Sequence, residues 1–531
     1  MRDLELPGRS PVHATEGMVA TSHPLATQAA LRVLQDGGNA MDAAVTASAV
    51  QCVVEPQSTG IGGDCFVLYA PGGSDRVIGF NGSGRAPAAA QAAWFRERGI
   101  AAIEQTSPHA VTVPGAVDAW AQLLCDHGTR DFGTLLQPAI RYARDGFPVH
   151  SRVFYDWSLS VDLLGRDPTA RRIYLPGGRP PAIGRLHRQP ELAATLERIA
   201  QHGRAGFYEG PVAEDIVAYL RGLGGLHEME DFAEARGEYV TPIRTVYRGY
   251  EVHECPPNGQ GLTALVMLNI LSELLPAVTE PLSALRLHYE VEAARLAYQD
   301  RDAFIADPAQ AAVPVDALLS PAHAARRRTL IDPERALTDL PPSRFPDHPD
   351  TIYLCVVDRD RNAVSFINSI YYGFGSGLVS PRTGVVLQNR GQSFNLDPEH
   401  PNCIAPGKRP MHTIIPGMVT RGGRVRMPFG VMGGMYQAQG HAHFLGNLFD
   451  FGLDLQEAID LPRVFSPPAG PVEVESTIPA DVVADLARRG HAIAEPEDKP
   501  IGGAQAIWID WDEGVLTGAS EPRKDGCALG Y

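Results

Sequence analysis

No stretch of the 531-residue chain reaches the roughly 18 consecutive apolar residues that a membrane-spanning helix needs. The first residues, "MRDLELPGRSPVHATEG", carry charge and proline but no apolar core of the kind a secretory leader requires. Basic residues are outnumbered: 46 Lys+Arg against 62 Asp+Glu give a formal charge of −16. That balance excludes a broad surface for nucleic acid or anionic lipid, which needs clustered Lys and Arg. Cysteine is sparse as well. The seven (Cys52, Cys65, Cys125, Cys255, Cys355, Cys403, Cys527) are scattered, odd in number and never spaced CxxC, which reads as reduced thiols in a reducing compartment. The expectation is a soluble cytoplasmic protein with reduced thiols, no nucleic-acid partner and no membrane.

Several familiar site motifs are also missing. "GFGSG" (373–377) lacks the Gly-x-Ser-x-Gly order of a nucleophile elbow, "GIGGDC" is an incomplete dinucleotide fingerprint, and no P-loop occurs. His441 and His443 form "HAH", but positions two apart on a helix point in different directions, and no neighbouring Cys or carboxylate completes a set. "HYEVEAARLAY" is not HExxH, so His288 and Glu290 read as packing or helix-surface groups. No metal and no cofactor are expected. Internal repeats and low-complexity tracts are absent too.

What is present is ordinary globular material: 44% hydrophobic and 20% charged residues. An Ala/Leu-rich helix from about Ala26 breaks at Gly37-Gly38, and a second, Ala-rich helix starting near Asn39 has side chains small enough to sit deep between layers. The middle of the chain is helix-rich, with apolar periodicity ending repeatedly at glycine in "PGAVDAWAQLLCDHG", "TLLQPAIRYARDG", "PELAATLERIAQHG" and "GPVAEDIVAYLRGLGG". "TPIRTVYRGYEVHECPP" alternates like a strand. After Thr351 the texture turns to strands: "TIYLCVVD" and "NAVSFINSIYY" form a hairpin about Arg359-Asp360-Arg361, followed by "GVVLQN", "TIIPGMVT" and "RVRMPFG". The pattern predicts a layered α+β fold.

One junction raises a question. Residues 331–350 are Pro- and Asp-rich and unpatterned, yet a buried strand begins directly after Asp350. A domain boundary would explain this, and Thr often begins a strand. The alternative is that Asp350-Thr351 is a bond to be cut, with Thr351 as the new N-terminus.

An ordered set of stretches resembles the gamma-glutamyltransferase family of self-cleaving N-terminal-nucleophile hydrolases: "GMVATSHPLAT", "GGNAMDAAV", "VVEPQSTGIGGDCF", "VPGAVDAW", "QPAIRYARDGF", "GFYEG", "HYEVEAARLAYQDRDAFIADP", "DTIYLCVVDRDRNAVS", "FGSGLV", "PGKRP", "GVMGGM" and "GASEPRKDGCALGY". The resemblance covers nearly the whole chain. It implies a four-layer αββα sandwich in which 1–350, a helix-rich large subunit, and 351–531, a small subunit starting at the nucleophile, are intertwined. It also implies cleavage between Asp350 and Thr351, with Thr351 as catalytic nucleophile. The chemistry suits that role, because a freed Thr α-amine has a reference pKa of about 7.7–8, near neutral pH, and can act as the base for its own hydroxyl. By the same resemblance Gly433-Gly434 supplies the oxyanion hole and Ser369 supports the nucleophile, while Thr413 falls in the substrate loop.

The departures gather in the substrate pocket. Two residues after Ser369 the family's typical enzymes have Asn, and here stands Tyr371. Their Gln-x-x-Asp, which grips a substrate α-amine, reads Arg390-Gly-Gln-Ser393, and a Ser-Ser pair becomes His412-Thr413. Arg85 in "NGSGRAP" lies near the family's carboxylate-binding Arg, and it also suits a surface salt bridge. Losing a carboxylate and gaining a guanidinium favours a substrate that bears a carboxylate. The expectation is an amidohydrolase for a small carboxylate-bearing amide, as in the oxamate amidohydrolase and cephalosporin-acylase-like branch. Glutathione hydrolysis or γ-glutamyl transfer is the second reading. An unprocessed pseudoenzyme that binds a metabolite is the third, but it should have lost Thr351 or Gly433-Gly434. Expected partners are the small-molecule amide and the two subunits of one precursor, with a homo-oligomer left open.

Overall fold

The computed structural model describes residue 5 and residues 8–338, 351–467, 470–496 and 500–531. Its centre is a pair of seven-stranded sheets. The first runs, in spatial order, Val12–Ala14, Leu516–Ser520, Gly503–Ile509, Arg424–Met432, Gly417–Arg421, Tyr250–Glu254 and Ile243–Tyr247. The second runs Cys527–Gly530, Met18–Thr21, Ile352–Val357, Ala363–Ser369, Asp64–Ala70, Ile78–Gly82 and Glu238–Val240. Strands from before and after Thr351 alternate within both sheets, so neither part of the chain holds a complete sheet.

The strand after Thr351 shows why the layers form. Every residue of Ile352–Val357 is buried. Ile352, Leu354 and Val356 join the apolar cluster under the helices Pro24–Gln35 and Ala40–Val54. Tyr353, Cys355 and Val357 join the cluster between the sheets, with Phe66, Ile367, Met418, Ile507 and Leu516. Period-two geometry sends alternate side chains to opposite faces, so a strand apolar at every position must be covered on both. On the far side of the first sheet, Phe429 and Val431 pack under the helices Gly261–Leu271, Ala284–Phe304 and Tyr436–Phe449. The result is helix, sheet, sheet, helix, as the sequence led us to expect.

The sheets approach closely where Tyr353 lies on Gly430. A Cβ at Gly430 would sit 2.4 Å from that ring, so only glycine fits. The Ala-rich helix Ala40–Val54 is buried along its full length and begins at an Asn39/Asp42 capping box. One expected strand is not formed: "GVVLQN" (384–389) holds only isolated bridges, Gly62 with Leu387 and Val379 with Val386. "TIIPGMVT" becomes strand only from Gly417.

Asp350 and residues 339–349 of the Pro-rich segment lie outside the described residues. The part that is described is docked: Ala336 N–H donates to the Arg489 carbonyl at 2.8 Å and Leu337 N–H to Glu292 Oε2 at 2.8 Å. Among the described residues no helix is long and apolar enough to cross a membrane.

Candidate active site

Strand register brings three distant residues together at one end of the three central strands of the second sheet. Ile352 pairs with Asn368, which sets Thr351 beside Ser369, and Ser369 pairs with Asp64 on the other side. Thr351 Oγ1 and Ser369 Oγ are 3.1 Å apart, and either can donate. Tyr371 N–H also donates to Ser369 Oγ at 2.9 Å. Thr351 is 1% exposed and Ser369 fully buried, so packing around the neighbouring strands holds both hydroxyls.

Asp64 is the hub of this group, and sequence reasoning gave it no role. Its Oδ1 accepts from Gly84 N–H at 2.8 Å, Gln388 Nε2 at 2.9 Å and Gly115 N–H at 3.3 Å. Its Oδ2 lies 3.0 Å from His412 Nε2. Because Ile414 N–H donates to Nδ1 of His412 at 3.3 Å, the imidazole proton sits on Nε2 and points at Asp64. Burial first, then the nearby Arg390 charge, push the His412 pKa down to about 3, against the opposing pull of Asp64. His412 is therefore a neutral framework group with both ring nitrogens engaged. The signal for Asp64 was a carboxylate placed directly after a Gly-rich turn, at the first position of a buried strand.

Arg390 is fully buried at the start of a short 3-10 turn, Arg390–Ser393. Its guanidinium carbon lies 3.8 Å over the Tyr371 ring, and its Nη1 donates to Thr413 Oγ1 at 2.9 Å. Nε and Nη2 have no hydrogen-bond partner among the described residues. Burial lowers the Arg390 pKa to about 10, with Tyr371, Asp64 and Tyr372 pulling the other way, so it stays cationic at neutral pH. Tyr371 holds a backbone φ of 82°, a left-handed conformation unfavourable for a bulky side chain, and there it places its ring under the guanidinium. A buried cation offering Nε–H and Nη2–H side by side is a fork for a carboxylate.

The Gly433–Gly434 turn ends the strand Arg424–Met432, three residues beyond the Gly430–Tyr353 contact. Gly433 and Gly434 have φ of 124° and 49°, and a Cβ on Gly433 would lie 2.8 Å from Gly502 Cα. Glycine is required there both for the conformation and for the space. Gln260, a second residue missed in the sequence, donates from Nε2 to Gly434 O at 2.9 Å and to Thr413 O at 2.8 Å. Only its place in the Gly-rich turn "PPNGQG" hinted at it.

Other candidates lie apart from this group. Arg85 is committed to the Gly407 carbonyl at 3.1 Å and to Asp307 and Glu238 at 3.6 and 3.9 Å. His441 and His443 do face different partners, but each has a buried carboxylate that the sequence reading lacked: Glu254 at 2.7 Å and Glu290 at 3.0 Å. His288, Glu292 and His491 bring ligand atoms within 4.8 Å of one another, the spacing of a cation site. Their protons are already allotted. His288 Nε2 is 2.8 Å from Asp332 O and therefore donates to it. Arg295 donates to His491 Nδ1 at 3.4 Å, which leaves His491 Nε2–H to donate to His288 Nδ1 at 2.8 Å. With the Arg295 charge against Glu292 as well, the trio is a hydrogen-bonded staple rather than a cation cage.

A family profile described as gamma-glutamyltranspeptidase matches residues 26–531. The chain is 38% identical over 526 residues to a glutathione hydrolase-like YwrD proenzyme of Bacillus subtilis, covering 98% of this chain and 99% of that one. It is 35% identical to an oxamate amidohydrolase proenzyme of Klebsiella pneumoniae, with coverage of 98% and 99%. Its structure superimposes on the crystal structure of a cephalosporin acylase from Bacillus halodurans with a TM-score of 0.92 at 41% identity, over 100% of this chain and 99% of that one.

Proposed function

The chain belongs to the gamma-glutamyltranspeptidase family of N-terminal-nucleophile enzymes, and we propose that within it the protein is a self-processing amidohydrolase for a small amide that carries a carboxylate. In maturation, Thr351 Oγ attacks the Asp350 carbonyl and displaces the peptide nitrogen. Water then opens the resulting ester, leaving Asp350 as a carboxylate and Thr351 as a free amine. In turnover that amine takes the Oγ proton as Oγ adds to the substrate carbonyl, and Ser369 keeps the hydroxyl in place. Charge developing on the carbonyl oxygen is met by N–H groups of the Gly433–Gly434 turn, where absent side chains let the substrate reach the backbone. The departing nitrogen receives the proton and leaves as amine or ammonia. Water adds to the acyl-Thr351 ester, releases the acid and restores the hydroxyl.

The observation that carries the substrate class is Arg390: fully buried, cationic, and with Nε and Nη2 unclaimed. Tyr371 supports its plane and Thr413 fixes one nitrogen, while His412 holds the adjoining loop rather than touching substrate. An oxamate-like or glutaryl-type amide offers the matching carboxylate. The 38% identical glutathione hydrolase-like relative favours γ-glutamyl hydrolysis or transfer as a second reading. Against it, Asp64 already accepts four hydrogen bonds and has little capacity left for a substrate ammonium.

The test has two parts. Denatured mass should give fragments 1–350 and 351–531 from the wild type and one intact, inactive chain from Thr351→Ala. Cleavage surviving in that variant refutes the nucleophile. Wild-type turnover of oxamate or a glutaryl anilide should exceed that of a γ-glutamyl anilide, and the reverse order refutes the pocket.

A further inference from the structure

The amide of Gln260 uses both its donors and its oxygen in a fully buried place. Its Nε2 donates to Thr413 O at 2.8 Å and to Gly434 O at 2.9 Å, and its Oε1 accepts from Arg301 Nη1 at 3.3 Å. Its backbone N–H donates to His412 O at 2.9 Å. Two donors on one nitrogen and an acceptor beside them define a primary amide, and no apolar or acidic side chain can repeat the set. Thr413 in turn receives Arg390 Nη1 at 2.9 Å. A continuous chain thus runs from the unclaimed edge of Arg390 through Thr413 and Gln260 to the Gly433–Gly434 turn.

The far side of the turn is also fastened. Tyr298 and Arg301, from the helix Ala284–Phe304, reach Met435: the Tyr298 hydroxyl donates to Met435 O at 2.7 Å and Arg301 Nη1 lies 2.8 Å from Met435 Sδ. The turn therefore has a rigid backing, and Gln260 ties it to Thr413 beside the pairing of Gly417 with Phe429 and the Ile415 N–H bond to Gln437 Oε1 at 3.1 Å.

We propose that Gln260 is a positioning residue that fixes the spacing between the Arg390 fork and the Gly433–Gly434 turn, and through it the length of acyl chain the enzyme turns over. The inference rests on the function proposed above, and it adds that selectivity is for the number of carbons between carboxylate and scissile carbonyl. A rigid two-point grip rewards one length, because a substrate one methylene off cannot seat its carboxylate and its carbonyl together.

The test uses cleaved, full-length protein and a series of ω-carboxyacyl p-nitroanilides from oxalyl to adipoyl. For the wild type, kcat/KM should peak at one length, with the next homologue about tenfold lower. In Gln260→Met, which has the length but no donors, that ratio should fall to about threefold or less, with kcat for the best substrate reduced about 10–100-fold. Gln260→Glu keeps the contact to Arg301, loses both donors and should flatten the profile in the same way. It provides the measurement if the Met variant fails to fold. Equal loss at every length with the ratio intact means that Gln260 only stabilises the fold, and the proposal is overturned. If cleaved wild type hydrolyses none of the series, the substrate reading fails and takes the length selection with it.

Discussion

Arg390 shows how far a single residue can be read. A guanidinium standing where relatives carry an amide was visible in the sequence, and so was its preference for carboxylates. That it would be fully buried, stacked on Tyr371 and left with two unclaimed nitrogens was not, because those properties come from segments far away in the chain. Arg390→Met should lower kcat/KM for a carboxylate-bearing anilide by about 10²–10³-fold, as expected when one member of a buried charge pair is lost. Turnover of an uncharged acyl anilide should stay within a few-fold. Steady-state kinetics on the two substrates check this, and equal losses on both would remove Arg390 from carboxylate recognition. His412 teaches the opposite lesson. The resemblance placed it in the substrate pocket, and in the structure both of its ring nitrogens are engaged, by Asp64 and by Ile414 N–H.

At the scale of elements, the strand–turn–helix around Gly433 is constrained both by conformation and by space. Gly433→Ala puts a Cβ against Gly502 in a backbone conformation that disfavours side chains, so the turn must shift. We expect kcat to fall about 10²–10³-fold, the loss typical of a displaced oxyanion donor, with a far smaller change in KM. A variant with near-normal kcat would show that the turn is not where negative charge develops. The expected strand at 384–389 failed for a related reason. Its apolar residues are buried, but the segment bends past Gly62 and Val379 to deliver Arg390, and its backbone is satisfied by single bridges and turn contacts instead of a ladder. Apolar alternation reports burial, and here burial came without a partner strand.

At the scale of the whole molecule, the layers bury many imidazoles in neutral form. Burial is the leading cause that pushes His187, His227 and His253 down to about 4 and His412 and His491 to about 3. In the unfolded chain these groups protonate near 6.5. Below that pH the unfolded state binds protons that the folded state does not, so stability is full above about 6.5 and falls as the pH drops toward 4. Each such histidine steepens the fall by up to about 1.4 kcal/mol per pH unit. Glu521 adds to the loss further down: burial raises it, but Arg463 and Arg523 outweigh burial and hold it at about 2. The raised carboxyls of Glu254, Glu292, Asp358 and Asp460 oppose the trend from the carboxylate range upward. Urea denaturation of the processed protein at constant ionic strength should therefore give a lower unfolding free energy at pH 5 than at pH 7. Equal unfolding free energies at the two pH values, or a higher one at pH 5, would contradict the neutral-histidine assignment.

The patterning by itself determined a layered α+β fold, since strands apolar at every position demand cover on both faces, and the family resemblance implied its αββα order. The abrupt change of texture at Thr351, the Gly433-Gly434 pair and the arginine at position 390 were legible in the sequence too, because each is a property of a few adjacent residues. Only the tertiary structure decided which polar groups close the frame. The Asp64–His412 and Gln260–Thr413 bonds join residues 348 and 153 positions apart, and the burial that leaves Arg390 its unclaimed donors comes from the same packing. Hydrogen bonds between remote segments leave no periodicity in the chain, so they become legible only when strand register and loop packing bring their ends within reach.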